Sequence, residues 1–436
     1  MLSQGWKDVL RPIRDGLRDL FPSPDQGPTP AERLRQRRLH ALDGFTYFDD
    51  FDQLAAWNPQ DADPVQKANT PLLPRTRAPR ESKSKVLLCH DMSGNYHAYE
   101  SCQSRGVEQE EYHCEYLQFV DCFVYFSHKL VCVPPPLWTN SLHRNGVKVL
   151  GTLLVERQTR GLDRLLDKSR METEEHYAFA SLLAKVADVY GFDGWLVNIE
   201  KKFSIDAWEL SSLLAFLRQL KRQMGEEKQL IWYDALTADN RVEYQNGLTE
   251  GNVPFAQACG SLLTNYSWTY EGASSSKGVA TRHQIDTSCI YFGIDTWAQN
   301  STHGLSKRVT YPEDGGGGTK TGIAVKDLSG LGFSTGIFAP AWTYEHFPGH
   351  GAAMERCMWE GDALSDDITC GCRSASQHPT NTDNPITSSA CWYPAGSPTF
   401  FYTNFSRAFA SHDPALNEIY RTKRLHAQLG SQSILP

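Results

Sequence analysis

Three side chains define the chemistry to look for. In Tyr190-Gly191-Phe192-Asp193-Gly194-Trp195-Leu196-Val197-Asn198-Ile199-Glu200, a strand over Trp195–Glu200 places Leu196, Asn198 and Glu200 on one face and Val197 and Ile199 on the other. An amide and a carboxylate then sit about 7 Å apart along one strand. Most glycosidic-bond cleavage uses a pair of carboxylates, but substrate-assisted chemistry does not. There the sugar's own 2-acetamido oxygen attacks the anomeric carbon, so the protein supplies one general acid/base and a polar group to hold the acetamide. Glu200 suits the first role, because a glutamate at a partly apolar rim keeps a proton for the leaving oxygen. Asn198 suits the second, since an amide orients the acetamide without adding a charge. In Ile231-Trp232-Tyr233-Asp234, the Tyr233 hydroxyl can donate to the same acetamide oxygen. The plain alternative makes Glu200 a strand-end ion-pair partner and Asn198 a loop-capping amide; spacing alone does not choose.

Something must hold these groups together. Short apolar, β-branched or aromatic runs recur at Val86–Leu88, Phe123–Phe126, Val147–Val155, Trp195–Ile199, Leu230–Tyr233, Leu262–Tyr266, Ile290–Ile294 and Thr335–Phe338. Helical periodicity fills the longer gaps, over Thr173–Tyr190 and Ile205–Met224. Continuous apolar strands alternating with helices imply a parallel sheet covered on both faces, and eight such units predict an α/β fold, a (β/α)8 TIM barrel over 85–350. A doubly wound sheet is the alternative. In a barrel the C-terminal strand ends form one rim, the active-site face. That rim collects His90, Asp91, Ser127, His128, Glu156, Asn198, Glu200, Tyr233, Asp234, Asn265, Tyr266, Asp295, Trp297, Trp342, Tyr344 and Glu345. Carboxylates, amides and aromatics together are the footprint of a carbohydrate site, because sugars offer hydroxyls to bond and apolar faces to stack on. Trp268, Trp297 and Trp342 are the expected stacking platforms; Trp232 is expected to face the helix layer.

Composition narrows the partners. The 436 residues carry 43 Lys+Arg against 51 Asp+Glu, a net charge of −8, which argues against nucleic acid or an anionic membrane surface as partner. No run of about 18 apolar residues occurs, so no membrane span is expected. The first segment, MLSQGWKDVLRPIRDGLRDLF, is too charged for a signal peptide. Eleven cysteines at irregular spacing then read as reduced thiols in the cytosol. Cys370-Gly371-Cys372, with Cys357 upstream and Cys391 downstream, is their one cluster; lacking CxxC knuckles and a fourth ligand, it is read as loop and core thiols, with no metal. Residues 22–40 and 58–84 read as linkers or extended arms, with the aromatic stretch Phe45–Trp57 between them fit to dock on something. The glycine run Asp314–Gly322 lacks the GK[ST] ending of a phosphate loop and reads as a mobile loop near the site. Residues 366–396, rich in Ser, Thr, Asn and Pro, read as a surface excursion.

At this point a specific resemblance emerges. LLCHDMSGNY (88–97), FVYFSHKLVCVPP (123–135), NGVKVLGTLLVE (145–156), YGFDGWLVNIE (190–200), IWYDALT (231–237), LLTNYSW (262–268), YFGIDTWA (291–298) and IFAPAWTYE (337–345) resemble, in order, the endo-β-N-acetylglucosaminidases of glycoside hydrolase family 85, with Phe401–Phe405 near the end. The resemblance implies a barrel that cleaves the β-1,4 bond in the N,N′-diacetylchitobiose core of N-glycans, by a retaining substrate-assisted mechanism. Asn198 and Glu200 match its NxE motif and Tyr233 the tyrosine of its WYD motif. Neither metal nor organic cofactor is implied. The sequence departs from the family at Tyr244, where a tryptophan is often found before Gln-Asn; the resemblance implies that a gating aromatic, which bears on the balance of hydrolysis against transglycosylation, survives there. Family members also continue into β-sandwich domains, whereas this chain is expected to hold an N-terminal helix, linker and docking arm (1–84), the barrel (85–350), and a C-terminal extension (351–436) that starts a truncated accessory region. A chitinase-like hydrolase would need aspartates where Leu196 and Asn198 stand. A lectin that kept the groove and lost turnover is the reading from another class. Glycan preference and oligomeric state are not encoded in these motifs.

Overall fold

In the computed structural model, all eight apolar runs form strands: Val86–His90 (β1), Cys122–Tyr125 (β2), Lys148–Val155 (β3), Gly194–Ile199 (β4), Gln229–Tyr233 (β5), Leu262–Leu263 (β6), Ile290–Asp295 (β7) and Ser334–Phe338 (β8). The described residues are 30–393 without 76–82, 102–110, 172–173, 300–301, 304–306, 313–314, 366–367, 369, 371–377 and 379–382. The expected N-terminal helix and Phe401–Phe405 therefore lie outside them. Each strand pairs in parallel with the next, and β8 pairs back onto β1 through Thr335↔Val86 to Phe338↔Cys89. The sheet closes, which settles the (β/α)8 barrel against the doubly wound alternative.

Strand alternation sorts the side chains into two cores. Leu87, Cys89, Val124, Leu150, Leu196, Ile231, Leu263 and Tyr291 fill the barrel. Their neighbours Val86, Leu88, Phe123, Val149, Val197, Leu230, Trp232 and Phe292 face the outer layer. That layer includes Pro136–Arg144 (α1), Ala178–Tyr190 (α2), Leu210–Met224 (α3), Val253–Cys259 (α4), Tyr270–Arg282 (α5), Thr321–Leu331 (α6), Trp342–His346 (α7) and Gly351–Glu360 (α8). Trp232 stacks on Phe255 of α4 at 4.2 Å, on the helix side as expected. Gly194, at φ 134, opens β4 against β5 where a Cβ would run into the Gln229 carbonyl.

Both long helices start later than their periodicity suggests. Glu174–Tyr177 pairs antiparallel with Lys168–Met171, so the apolar period begins inside a hairpin. Gln219 of α3 fixes that boundary by accepting from Tyr177 N and donating to Tyr177 O, both at 2.9 Å. Ile205 is almost fully exposed, which excludes it from the amphipathic face of α3. Pro30–Asp43 is a helix rather than part of a linker; Pro in the first turn followed by Ala, Glu, Leu, Arg and Gln favours it. The aromatic stretch after it docks on the barrel itself: Tyr47–Phe48 pairs antiparallel with Val131–Cys132, which pairs with β3, and Phe45, Phe51 and Leu54 are buried. Further on, the Arg75 guanidinium donates to the carbonyls of Asn145, Val120 and Leu117 at 2.6–2.7 Å, strapping the arm across the barrel. The glycine run packs closely where it is described: a Cβ on Gly317 would meet the Asp295 carbonyl, and one on Gly318 the Gln299 side chain. Among the described residues, no helix is long and apolar enough to cross a membrane.

Candidate active site

Asn198 and Glu200 occupy the C-terminal end of β4, with Leu196 below them in the barrel and Val197 and Ile199 turned outward. Their side chains converge: Asn198 Nδ2 donates to Glu200 Oε1 at 3.2 Å. That bond fixes the orientation of the amide and leaves Asn198 Oδ1 buried without a partner. A buried carbonyl oxygen with nothing to accept from costs about 1–3 kcal/mol, so the site holds a donor-seeking atom beside its carboxylate. Burial pushes the Glu200 carboxyl above the usual carboxylate range; the Asn198 hydrogen bond opposes it, Glu156 adds to it, and His128 and Arg157 work against it. Glu156 itself accepts from His128 Nδ1 at 3.0 Å and from Gln158 at 2.6 Å.

Tyr233 lies at the end of β5, its ring in the barrel core, and its hydroxyl donates to Asn265 Oδ1 at 3.0 Å. Burial, then the nearby Glu200 charge, drives the phenol well above its ordinary range, so Tyr233 remains a donor. The chain of amides behind it ends on Asp234. Asn265 Nδ2 donates to Asn246 Oδ1 at 2.9 Å, while Asn246 N and Asn252 Nδ2 donate to the Asp234 carboxylate at 2.7 and 3.0 Å. Burial raises Asp234 to about 6 even with these donors around it. Tyr244, 41% exposed, stands edge-on to Tyr233 at 6.3 Å, a gate-like position at the solvent side. Tyr266 lies 6.4 Å from Tyr233 and 5.4 Å from Phe338, in space left by Gly293, where a Cβ would press on the ring.

The rest of the rim divides. Asp295 caps the turn Thr296–Ala298 through Trp297 N at 3.0 Å, and burial, with the Asp91 charge adding to it, brings its carboxyl to about 7. Trp297 is half-buried with one edge toward His346. Glu345 accepts from Ser93 Oγ, joining the β8 rim to the β1 loop. Two of the expected platforms are core instead. Trp268 is buried, stacked on Tyr311 at 4.1 Å, with Nε1 bonded to the Gly293 carbonyl. Trp342 is equally buried among His346, Phe347 and His378. Strand-end position predicts height along the barrel but not whether a later loop closes over the ring. His128, Glu156 and Asp234 belong to the expected rim, but neither the His128–Glu156 pairing nor the anchoring of Asn246 and Asn252 by Asp234 follows from sequence position. Strand alternation places Asp234 one residue after Tyr233, facing away from the mouth, so it acts through the amides it anchors.

These features define a class: a parallel (β/α)8 barrel whose C-terminal rim gathers one elevated carboxyl, an amide with an orphan acceptor, and a buried tyrosine. The family follows from comparison. The model of Glycosyl hydrolase family 85 matches residues 96–413, and the chain belongs to that family. It is 33% identical over 299 residues to the cytosolic endo-beta-N-acetylglucosaminidase of Gallus gallus, covering 68% of this chain and 38% of that protein. It is 34% identical over 313 residues to cytosolic endo-beta-N-acetylglucosaminidase 1 of Arabidopsis thaliana, covering 71% and 41%. The chain thus spans about two fifths of the length of the curated relatives it matches. The solved glycoside hydrolase domain of Endo-D from Streptococcus pneumoniae R6 shares the fold, with a TM-score of 0.58 at 21% identity over 74% of this chain and 52% of that one.

Proposed function

We propose that this chain is a cytosolic endo-β-N-acetylglucosaminidase that hydrolyses the β-1,4 bond in the N,N′-diacetylchitobiose core of N-glycans, with 85–350 as the catalytic barrel, 1–84 as its arm and 351–436 as an extension. The observation that carries this is the orphan acceptor of Asn198 held beside Glu200. An acetamide N–H donates to Asn198 Oδ1, which turns the acetamide oxygen toward the anomeric carbon. Tyr233 redirects its hydroxyl from Asn265 to that oxygen. As the oxygen attacks, the bond to the leaving GlcNAc breaks and Glu200 passes its proton to the departing oxygen. The Glu200 carboxylate then takes a proton from the water that opens the oxazoline, and the two displacements retain configuration. Tyr244, Asn265, Tyr266, Asp295, Trp297 and Glu345 are the residues around the mouth that meet the sugars. Names of relatives support the same substrate and compartment.

Asn198→Gln tests the assignment. The extra methylene moves the amide away from the acetamide, so release of oligosaccharide from a high-mannose glycopeptide collapses. A synthetic sugar oxazoline enters after that step, and transfer from it to a GlcNAc acceptor survives. Equal loss of both reactions would remove Asn198 from the role.

The tryptophans are separable by a different readout. Trp297→Ala raises KM for glycopeptide about 2- to 10-fold, the size of one lost ring contact. Trp268→Ala instead destabilises the fold by about 3–5 kcal/mol, as loss of a buried tryptophan does. Unfolding midpoints and steady-state kinetics on both variants distinguish the platform from the core residue; a Trp297→Ala enzyme with unchanged KM contradicts the first.

A further inference from the structure

Beside the β7–β8 rim, His346 at the end of α7 meets two residues of the C-terminal excursion, Cys370 and His378. We propose that His346 Nε2, His378 Nε2 and Cys370 Sγ form a zinc-type metal site that pins this excursion to the barrel. The three ligand atoms lie within 4.8 Å of one another, and the two Nε2 atoms are 3.3 Å apart. Two imidazoles on one tetrahedral zinc, each at about 2.0–2.1 Å, stand about 3.3 Å from each other. The imidazoles are thus already at ligating separation, and the thiol needs a shift of about 1 Å to complete a shell with Zn–S of about 2.3 Å.

The surroundings prepare His378 as a ligand. Its Nδ1 lies 2.7 Å from Gln299 Oε1, which also accepts from Thr319 N, while Gln299 Nε2 donates to Thr319 Oγ1. Gln299 therefore accepts from Nδ1–H, and Nε2 carries the lone pair. This is the second partner that metal-binding histidines characteristically have, fixing tautomer and ring plane. Trp342 lies parallel to the His346 ring at 5.6 Å and holds it in place. Two imidazoles and a thiol favour zinc or another borderline ion over magnesium or calcium. On binding, the thiol proton leaves to solvent, the His346 proton that lies between the two Nε2 atoms moves to its Nδ1, and a fourth ligand from solvent or protein completes the tetrahedron. The hairpin of contacts around His346 also touches Trp297, so the ion would stiffen one wall of the mouth without entering the glycan chemistry.

The test reads metal, not turnover, and so stands apart from the proposed reaction. The full chain, loaded with Zn2+ and passed through gel filtration, is expected to retain about one equivalent by mass spectrometry of the metal. Loaded with Co2+, it is expected to show tetrahedral d–d bands and a thiolate-to-cobalt charge-transfer band. Cys370→Ser abolishes the charge-transfer band, and Gln299→Leu weakens zinc binding about 10- to 100-fold. Retention of less than about a tenth of an equivalent, an octahedral cobalt spectrum of the unaltered chain, or a charge-transfer band that survives Cys370→Ser overturns the site. The unaltered chain alone decides the ligand chemistry if a variant fails to fold.

Discussion

Glu200→Gln is expected to lower kcat for glycopeptide hydrolysis by about 10²- to 10⁴-fold, the usual worth of a positioned general acid/base, with the unfolding midpoint nearly unchanged. The amide keeps the size of the carboxyl and can still meet Asn198, so the fold has little to lose. The pH profile adds a second readout. The proton-donating form of Glu200 is the acid, and burial raises its pKa, so activity is present below that raised value and declines as pH climbs through it. Glu156 contributes to the rise through its negative charge, so Glu156→Gln moves the alkaline limb to lower pH without removing turnover. A Glu200→Gln enzyme that still releases oligomannose at near-normal rate would falsify the assignment of Glu200. An alkaline limb unmoved by Glu156→Gln would instead separate Glu156 from its electrostatic role.

Much of this site was legible because β-structure is periodic. The alternation Leu196, Asn198, Glu200 against Val197, Ile199 follows from the pleat alone, and the structure places the two sets in the barrel and the helix layer respectively. Each apolar run marked a strand for the same reason. Legibility ended where distant segments decide burial. Trp268 reads like Trp297 in sequence, yet Tyr311, more than forty positions on in the chain, covers it. The hairpin before α2 hid inside a helical period because its cross-strand partner lies in 168–171. No spacing rule on the cysteines brings His346 and His378 to Cys370. Polar relays such as Asp234 to Asn246 and Asn252 are likewise products of loop closure, not of local pattern.

Glu100→Leu is expected to destabilise the fold by about 3–5 kcal/mol, the cost of breaking a buried ion-paired network from one side. Glu100 is completely buried between the β1 and β2 ends, and every direction of its carboxylate is used. Oε1 accepts from His90 Nε2 at 2.8 Å and Trp138 Nε1 at 2.9 Å; Oε2 accepts from Tyr125 at 2.6 Å and His97 N at 3.0 Å. Leucine fills the volume but leaves four donors unpaired, in a wall where His90 already has a buried Nδ1 with no partner. The pH dependence follows from the same contacts. Burial by itself raises the carboxyl, but the His90 hydrogen bond and charge, His97 and Tyr125 together hold it at about 2 against an ordinary 4.5. A depressed pKa stabilises the fold above the unfolded value, so the contribution is complete above about pH 4.5 and is lost as pH falls through about 2. The difference between those values corresponds to about 3 kcal/mol. Urea unfolding of the unaltered chain and Glu100→Leu should therefore give a stability gap that is constant from neutrality down to about pH 5 and shrinks as the solution becomes more acid. A gap below about 1 kcal/mol at neutral pH, or one that does not shrink in acid, contradicts a carboxylate held ionised by these donors. Because His90 ends β1 at the rim and stacks between Tyr112 and Phe123, the same substitution also loosens the β1–β2 side of the barrel, and loss of turnover should track loss of stability rather than precede it.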